Sequence, residues 1–158
     1  MNYFRKGFTL VELLIVIVVI GILSGIMMFS SSKATSTARA NTIIKNLKNL
    51  SIAAMTLYLD SPDIGRDIAS NVLKRRVLEY TTNGNASAFN DYMVSNDNGT
   101  WWAGCPVPSN TEVAAKLTSR ADIANLKGSE NTNTHPTEAS LDYNGEAVVW
   151  TLIRSGSN

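Results

Sequence analysis

The sequence predicts an α+β fold, in which one long N-terminal α-helix packs on a small globular head of short helices and a C-terminal antiparallel β-hairpin or sheet. Three observations predict this fold. An uncharged, mostly apolar run extends from Leu13 to Ser32, an apolar stripe with helical spacing follows it, and a strand-turn-strand pattern lies near the C-terminus. A chain of 158 residues leaves room for one small domain beyond the apolar run.

The apolar run is long enough to cross a bilayer as an α-helix. Arg5 and Lys6 precede it, and the next basic residue is Lys33, beyond its end. The positive-inside bias therefore predicts that residues 1 to 6 stay cytoplasmic and that the chain after Lys33 faces outward. The net charge of +1 gives no support for a nucleic-acid or acidic-lipid partner, so nucleic-acid binding is not expected.

Glu12 is the unexpected residue, because it places a carboxylate at the head of this helix. A secretory signal peptide would account for the two basic residues and the run to Met28. Its cleavage site would have to be Ala38-Arg39-Ala40, which lies too far along, and Glu12 interrupts the entrance to the apolar region. A lipoprotein needs a cysteine directly after the run, and the chain has a single cysteine, Cys105. A plain transmembrane anchor explains the length and orientation but leaves Glu12 unexplained.

The string Lys6-Gly7-Phe8-Thr9-Leu10-Val11-Glu12-Leu13-Leu14-Ile15 resembles the leader junction of type IV pilins and their pseudopilin relatives. The resemblance covers roughly residues 1 to 60. It implies that a prepilin peptidase cuts between Gly7 and Phe8, that the new terminal Phe8 is N-methylated, and that Glu12 acts in filament assembly.

Physical chemistry supports these implied roles. An ionised group deep in hydrocarbon costs on the order of 3 kcal/mol, so such groups are usually kept for pairing or function. Cleavage would create a positive amine on Phe8, one helical turn from Glu12. The pair could close within one chain or between neighbouring subunits, and it would fix the register of otherwise featureless helices.

The resemblance implies a non-enzymatic structural subunit that polymerises into a type IV pilus, or fimbrium, or into a pilus-like filament. The implied partners are copies of the same chain, the prepilin peptidase, and an assembly platform with its motor. Before assembly the chain would be a single-pass inner-membrane protein; afterwards it would lie in a cell-surface filament or a periplasmic pseudopilus. The alternatives are a pseudopilin of a type II secretion or DNA-uptake system and a membrane-tethered binding module that does not polymerise.

The sequence divides into four predicted segments: a leader at 1–7, a transmembrane or filament-core helix at 8–30, an amphipathic helical spine at 31–60, and a head at 61–158. Within the core helix, Gly21 and Gly25 form a Gly-x-x-x-Gly face on which a neighbouring helix could pack. Tolerated glycine in a buried helix is the alternative. Many members of the family carry a helix-breaking proline where this chain has Phe29.

The spine has an apolar stripe, and the residue before Pro62 should end the helix. Residues of the stripe are Ile43, Leu47, Leu50, Ala54 and Leu57. In the head, the spacing of apolar residues and turn signals predicts five further elements. They are a helix over Asp67–Tyr80, a helical turn at Phe89, Tyr92 and Met93, a strand over Thr100–Ala103 after the Asp97-Asn98-Gly99 turn, a helix from its cap Asn110 to Lys127 that Gly128 ends, and a hairpin of Leu141–Tyr143 and Ala147–Ile153 around Asn144-Gly145.

Candidate chemistry in the head is sparse, so no catalytic residue, cofactor or metal ion is expected. His135 stands alone in a polar loop, and Asp63, Asp97 and Asp142 form no dense acidic loop. The single Cys105 cannot form an intramolecular disulfide and is expected to be a small packed residue.

Two further features of the head have a structural and a functional interpretation. Lys74-Arg75-Arg76 is expected to be a solvated helix face rather than a DNA contact, since no aromatic residue interleaves it. Trp101 and Trp102 should face opposite sides of a strand. One is then expected in the core, and the other is a candidate for a subunit or ligand contact.

Overall fold

The computed structural model describes residues 7–62, 64, 68–81, 86–109, 111–132, 134–136 and 140–156, with only the backbone described for residues 28–32 and 86. The chain divides into two compact units, Met1–Thr35 and Ser36–Asn158. We call residues 7–35 the N-terminal unit and residues 36–156 the head unit. The described elements are helix α1 (Leu10–Asp60), helix α2 (Ser70–Glu79), a 3₁₀ helix (Ala86–Phe89), strands β1 (Met93–Asp97) and β2 (Thr100–Pro106), helices α3 (Glu112–Thr118) and α4 (Ala121–Ala124), and strands β3 (Leu126–Ser129) and β4 (Val148–Arg154). The predicted α+β class is confirmed.

Helix α1 is 51 residues long and contributes to both units. It begins two residues after the predicted start at Phe8 and ends two residues before Pro62, as the effect of proline on the preceding residue requires. In the head unit the predicted apolar stripe faces the core, because its central residues are buried and Lys45 and Lys48 are exposed. The buried side chains of α1 are Ala40, Leu47, Leu50, Ala53, Ala54 and Leu57.

The sheet is antiparallel throughout, in the order β1-β2-β4-β3. The predicted C-terminal hairpin is wrong, because β4 pairs with β2 and β3 rather than with Leu141–Tyr143. Asp142 makes an isolated bridge to Lys127 instead. The reason lies in β4 itself: Val148, Val149 and Trp150 are all buried, so the strand is apolar on both faces and suits the centre of a sheet.

The tight hairpin of this fold joins β1 and β2, and β1 was not predicted. Asn98 and Gly99 both have positive φ, 47° and 87°, as the favoured two-residue hairpin turn requires. Of the predicted helical turn, Phe89 ends the 3₁₀ helix, but Met93 begins β1 and pairs with Gly104.

The single helix predicted from Asn110 to Lys127 is also wrong. Residues 111 to 129 form α3, α4 and β3, and Asn110 lies outside the described residues. Thr111 caps α3, since its hydroxyl oxygen accepts a hydrogen bond from the Ala114 backbone N–H at 3.2 Å. Asn125 ends α4 in the left-handed conformation, with φ 51° and ψ 53°, and this turn directs the chain into β3.

The helix predicted over Asp67–Tyr80 is confirmed as α2, which spans Ser70–Glu79, and Asp67 lies outside the described residues. Leu73 and Val77 are its buried side chains. Lys74 donates a hydrogen bond to the carbonyl oxygen of Asn90 at 2.9 Å, and Arg76 lies 3.7 Å from Glu79. Two of the three basic side chains of Lys74-Arg75-Arg76 therefore make contacts within the head unit.

Both faces of the sheet are covered, and both tryptophans of β2 are buried. Trp101 belongs to the main core, where its ring meets that of Tyr58 edge-on at 5.8 Å between centroids. Trp102 belongs to a second cluster with Val148 and Trp150. The side chains face opposite ways as predicted, but neither is an exposed candidate contact.

Candidate functional site

The candidate site lies at the start of α1, where Gly7 and Phe8 precede the helix. Phe8 is 82% exposed, and a Cβ atom added at Gly7 would meet nothing within 4 Å. Packing among the described residues therefore does not require glycine at position 7. A requirement for glycine would come from outside the chain, such as a protease that binds the backbone closely.

Thr9 and Glu12 form a reciprocal cap on the first turn of α1. The Thr9 backbone N–H and the Thr9 hydroxyl each donate to Oε2 of Glu12 at 2.8 Å. The Glu12 backbone N–H donates in return to the Thr9 hydroxyl oxygen at 3.3 Å. This Thr-x-x-Glu arrangement is a capping box, which satisfies backbone donors that the helix cannot pair internally.

The capping box gives Glu12 a local role that the sequence interpretation missed. The signal was present, since a threonine three residues before a glutamate at the head of an apolar run is the pattern of such a cap. The carboxylate also lies at the positive end of the helix dipole, which favours its charge. Glu12 is therefore held by its own chain before any subunit or amine approaches it.

The helix that follows Glu12 is apolar on every side. Leu10–Met27 is an 18-residue segment with a mean hydropathy of 2.8, long and apolar enough to cross a membrane, and none of it is buried within the described chain. A helix that is hydrophobic all round needs a lipid or protein environment that its own chain does not supply here.

Gly21 and Gly25 lie four residues apart and so share one face of this segment. A Cβ atom at either position would meet nothing within 4 Å. Between them, the Ser24 hydroxyl donates a hydrogen bond to the carbonyl oxygen of Ile20 at 2.7 Å, so the donor of this hydroxyl is paired within the helix. The glycine face is therefore open, and its packing role stays a prediction. The side chain of Phe29 lies outside the described residues.

In the part of the chain that the structure describes, no group of three or more His, Cys, Asp or Glu side chains is placed to hold a metal ion. His135 is half-buried, with Nε2 at 3.7 Å from Asp97 and Nδ1 at 3.1 Å from the carbonyl oxygen of Pro136. Asp142 forms an ion pair with Lys127 at 3.0 Å. Asp63 lies outside the described residues.

Cys105 is buried in the main core. Its Sγ lies 3.5 Å from the carbonyl oxygen of Pro106. Burial raises the pKa of the Cys105 thiol to about 11, so the thiol stays protonated at neutral pH. Because the thiolate is the reactive form, this environment makes Cys105 a poor nucleophile.

Residues 4–28 match the family model described as the prokaryotic N-terminal methylation motif. This motif is the hallmark of type IV pilin and pseudopilin prepilins, so the predicted recognition is confirmed. No curated protein and no solved structure matches the chain.

Proteins with this motif are structural rather than enzymatic. The motif implies processing by a prepilin peptidase and assembly into pilus-type filaments. Together with one apolar N-terminal helix, it fits a protein anchored in the inner membrane.

Proposed function

We propose that this chain is a non-enzymatic subunit that polymerises into a type IV pilus or pilus-like filament after its leader is removed. The single observation that carries the proposal is the coincidence of the methylation motif at 4–28 with the helix segment Leu10–Met27, which is apolar all round and of which none is buried among the described residues. An anchor alone would need the apolar segment. The motif adds a cleavage site, a methylated terminus and an acid.

The first step is hydrolysis of the Gly7–Phe8 peptide bond by a prepilin peptidase. Both residues precede the helix, and neither is covered, so a protease can bind this backbone in an extended form. Hydrolysis leaves the carboxylate on Gly7 and a new amine on Phe8. A methyltransferase then moves a methyl group from a methyl-sulfonium donor to this nitrogen, which gives up one proton, and the resulting secondary amine is again protonated at neutral pH.

The second step is pairing of Glu12 with a Phe8 amine. Both Thr9 donors bond Oε2 of Glu12, and a carboxylate has further lone pairs with which it can accept a hydrogen bond from an incoming ammonium group. The capping box thus holds the carboxylate in place while it accepts a second partner. That partner is the amine of the same chain in the membrane or the amine of a neighbouring subunit in the filament, where low polarity strengthens the attraction.

The third step is transfer of the apolar helix from lipid to a bundle of identical helices. Lipid and neighbouring apolar helices are equally apolar, so close packing and charge pairing must favour assembly. The open face of Gly21 and Gly25 allows a neighbouring backbone to approach closely. The assembly platform with its motor would supply the work of extracting each helix from the inner membrane.

Surface filaments from cells that express the full chain provide the test. Electron microscopy should show filaments, and mass spectrometry of their main protein should find an N-terminus at Phe8 that is heavier by one methyl group. Assembled material that keeps residues 1–7 would contradict the proposed processing.

The same cells distinguish the alternative functions. Short periplasmic filaments, with loss of protein secretion or DNA uptake on deletion, would assign the chain to a pseudopilin. A processed chain that stays in the membrane as separate subunits would indicate a tethered binding module instead.

A further inference from the structure

Helix α1 carries a second apolar face in the head unit, opposite the one that packs in the core. Ile52, Met55 and Leu59 are 66%, 40% and 72% exposed, whereas Leu50, Ala54 and Leu57 of the same turns are buried. Lys45 and Lys48 are exposed and continue the same spacing of three and four residues toward the N-terminus. This spacing is that of the a and d positions of a helix that packs against a partner. We call Lys45, Lys48, Ile52, Met55 and Leu59 the seam.

Helix α4 presents a second exposed apolar side chain beside an acid. Ile123 is 89% exposed, the most exposed large hydrophobic residue in the described chain, and the neighbouring Asp122 is exposed. No hydrogen bond or ion pair to the Asp122 carboxylate occurs among the described residues. Leu141 is similarly exposed at 88%, but its acidic neighbour Asp142 is already paired with Lys127 at 3.0 Å. We call Asp122 and Ile123 the knob.

Charge decides what can cover the seam. Two seams packed in parallel and in register would place Lys45 and Lys48 against their own copies, and like charges at such positions destabilise helix pairs. Antiparallel packing is excluded if every subunit enters the membrane in one orientation, as the proposed function requires. The seam therefore needs a different, acidic surface of its partner. The knob has the opposite charge, an exposed apolar side chain and a carboxylate with no assigned partner.

We infer that the seam of one subunit binds the knob of a second copy, with Ile123 among Ile52, Met55 and Leu59 and with Asp122 beside Lys48. This inference rests on the proposed function, because only parallel, membrane-oriented copies exclude the antiparallel pairing. A contact between two different surfaces of the same chain is not closed by a two-fold axis. It repeats from copy to copy and generates a helical array wherever the rotation between copies does not close into a ring, so in a filament the head units would add a set of contacts to those of the apolar helices.

Cysteine cross-linking of the full chain in cells tests the contact. Ile52→Cys combined with Ile123→Cys should give a ladder of disulfide-linked multimers on mild oxidation. The matched control is Ile52→Cys combined with Leu141→Cys, which offers an equally exposed pair and should give several-fold fewer multimers. Cys105 is buried, so it should contribute few cross-links, and the chain without added cysteines measures that contribution. Each single variant should give no ladder; a dimer from Ile52→Cys alone, as abundant as from the double variant, would overturn the inference.

Charge reversal tests the polar half of the contact. Lys48→Glu and Asp122→Lys should each lower the cross-linked fraction by roughly two- to tenfold, the range that a lost attraction plus a new repulsion between surface charges spans. The two reversals combined should restore it, and failure of that restoration would contradict the pairing of Lys48 with Asp122.

Filaments and cross-links are scored separately, so the two proposals can fail separately. Filaments without seam-to-knob cross-links would overturn this contact and leave the proposed function standing. Cross-links in the membrane fraction without filaments would support the contact and contradict polymerisation into a pilus. Absence of both would overturn both.

Discussion

Thr9 and Glu12 cap each other at the start of α1, with both Thr9 donors on Oε2 of Glu12 at 2.8 Å. The cap is complete within a single chain. Glu12 is therefore not an isolated charge at the head of the apolar segment. Because Thr9 orients the carboxylate, a substitution at Thr9 should alter the position of the Glu12 side chain even though Glu12 itself is unchanged.

Thr9→Val should separate this orientation from the charge. Valine has nearly the shape of threonine but no hydroxyl, so the bond to Glu12 and the returned bond from the Glu12 N–H are both lost. Loss of such a cap costs about 1 kcal/mol. We expect faster amide exchange in the first turn and a lower filament yield, whereas Thr9→Ser, which keeps the hydroxyl, should match the wild type. Equal exchange and yield in Thr9→Val would show that the cap is not used.

Most residues of the candidate site could be predicted from the sequence, but the capping box could not be distinguished from a pairing role. The residues of the motif are contiguous, so both the cleavage junction and the acid could be predicted without a fold. The hydrogen bonds between Thr9 and Glu12 were not predicted, although the two residues have the Thr-x-x-Glu spacing of a capping box. A glutamate in this position fits both an N-terminal cap and a charge that pairs with a neighbouring subunit, and the sequence alone does not separate the two roles.

Gly21 and Gly25 provide a test of helix packing. Gly21→Leu and Gly25→Leu should leave membrane insertion intact, because both changes make the segment more apolar and a Cβ atom at either position meets no described atom within 4 Å. Filament yield should fall, since the larger side chains keep a neighbouring helix away. Val19→Leu lies on the opposite side of the helix and is the matched control. Normal filaments from Gly21→Leu with Gly25→Leu would show that this face is not a contact.

Gly104 should be the least replaceable glycine of the sheet. A Cβ atom there would overlap the ring of Trp150, which is fully buried and so has little room to shift. We expect Gly104→Ala to lower the free energy of unfolding by about 1–3 kcal/mol, the usual cost of overpacking. Gly128→Ala is the matched control, because the nearest atoms to its Cβ would be those at the flexible end of the Glu146 side chain. Denaturant titrations of the full chain in detergent, followed by tryptophan fluorescence, measure the difference. Equal losses of unfolding free energy in Gly104→Ala and Gly128→Ala would contradict the view that the Trp150 ring leaves no room for a side chain at Gly104.

The errors in the predicted head have a common physical cause. The turn and strand patterns in the sequence are present in the structure, but the pairing of strands that are distant in sequence determines which of them form a hairpin. Asn98-Gly99 and Asn144-Gly145 have the same sequence, and only the first forms a tight hairpin turn, because β4 is apolar on both faces and pairs with β2 and β3. Short alternating strands such as β1 have little local signal, and their position depends on long-range pairing that a single sequence does not display.

The head unit should lose stability at high pH. Burial raises the pKa of Cys105 from 9.0 to about 11, and burial likewise raises that of Tyr92 and that of Tyr143 from 10.0 to about 12. These groups ionise more easily in the unfolded chain, so their contribution is complete below about pH 9 and is lost as the pH rises through the folded values. A difference of one in pKa corresponds to about 1.4 kcal/mol.

Denaturant midpoints of the full chain in detergent, measured from pH 7 to pH 11, check this expectation. The Cys105→Ser variant has no thiol to ionise and should show a shallower fall above pH 9. A flat profile in the wild type would contradict the burial of these groups. Alkylation of Cys105 at pH 8 should likewise be slow in the native chain and fast in denaturant.

Glu12 provides the last and most direct test. Glu12→Ala should still be cut to a Phe8 terminus and should still sit in the membrane, because removal of the carboxylate makes insertion easier rather than harder. The variant should fail to enter filaments, since the Phe8 amine would be buried without a partner at a cost of several kcal/mol for each subunit. Immunoblots of membrane and sheared surface fractions separate the two outcomes.

Two further variants locate the partner of the carboxylate. Glu12→Gln keeps the size and can still accept hydrogen bonds from Thr9, so it should retain the cap and lose only the charge. If pairing with the amine drives assembly, Glu12→Gln should be impaired where Thr9→Ser is not. Co-expression of Glu12→Ala with the wild type then distinguishes the two possible pairings. Pairing between subunits allows sparse entry of the variant into mixed filaments, and pairing within one chain predicts none. A normal yield of filaments from Glu12→Ala alone would show that the carboxylate is not used in assembly, and its role would then be confined to capping α1.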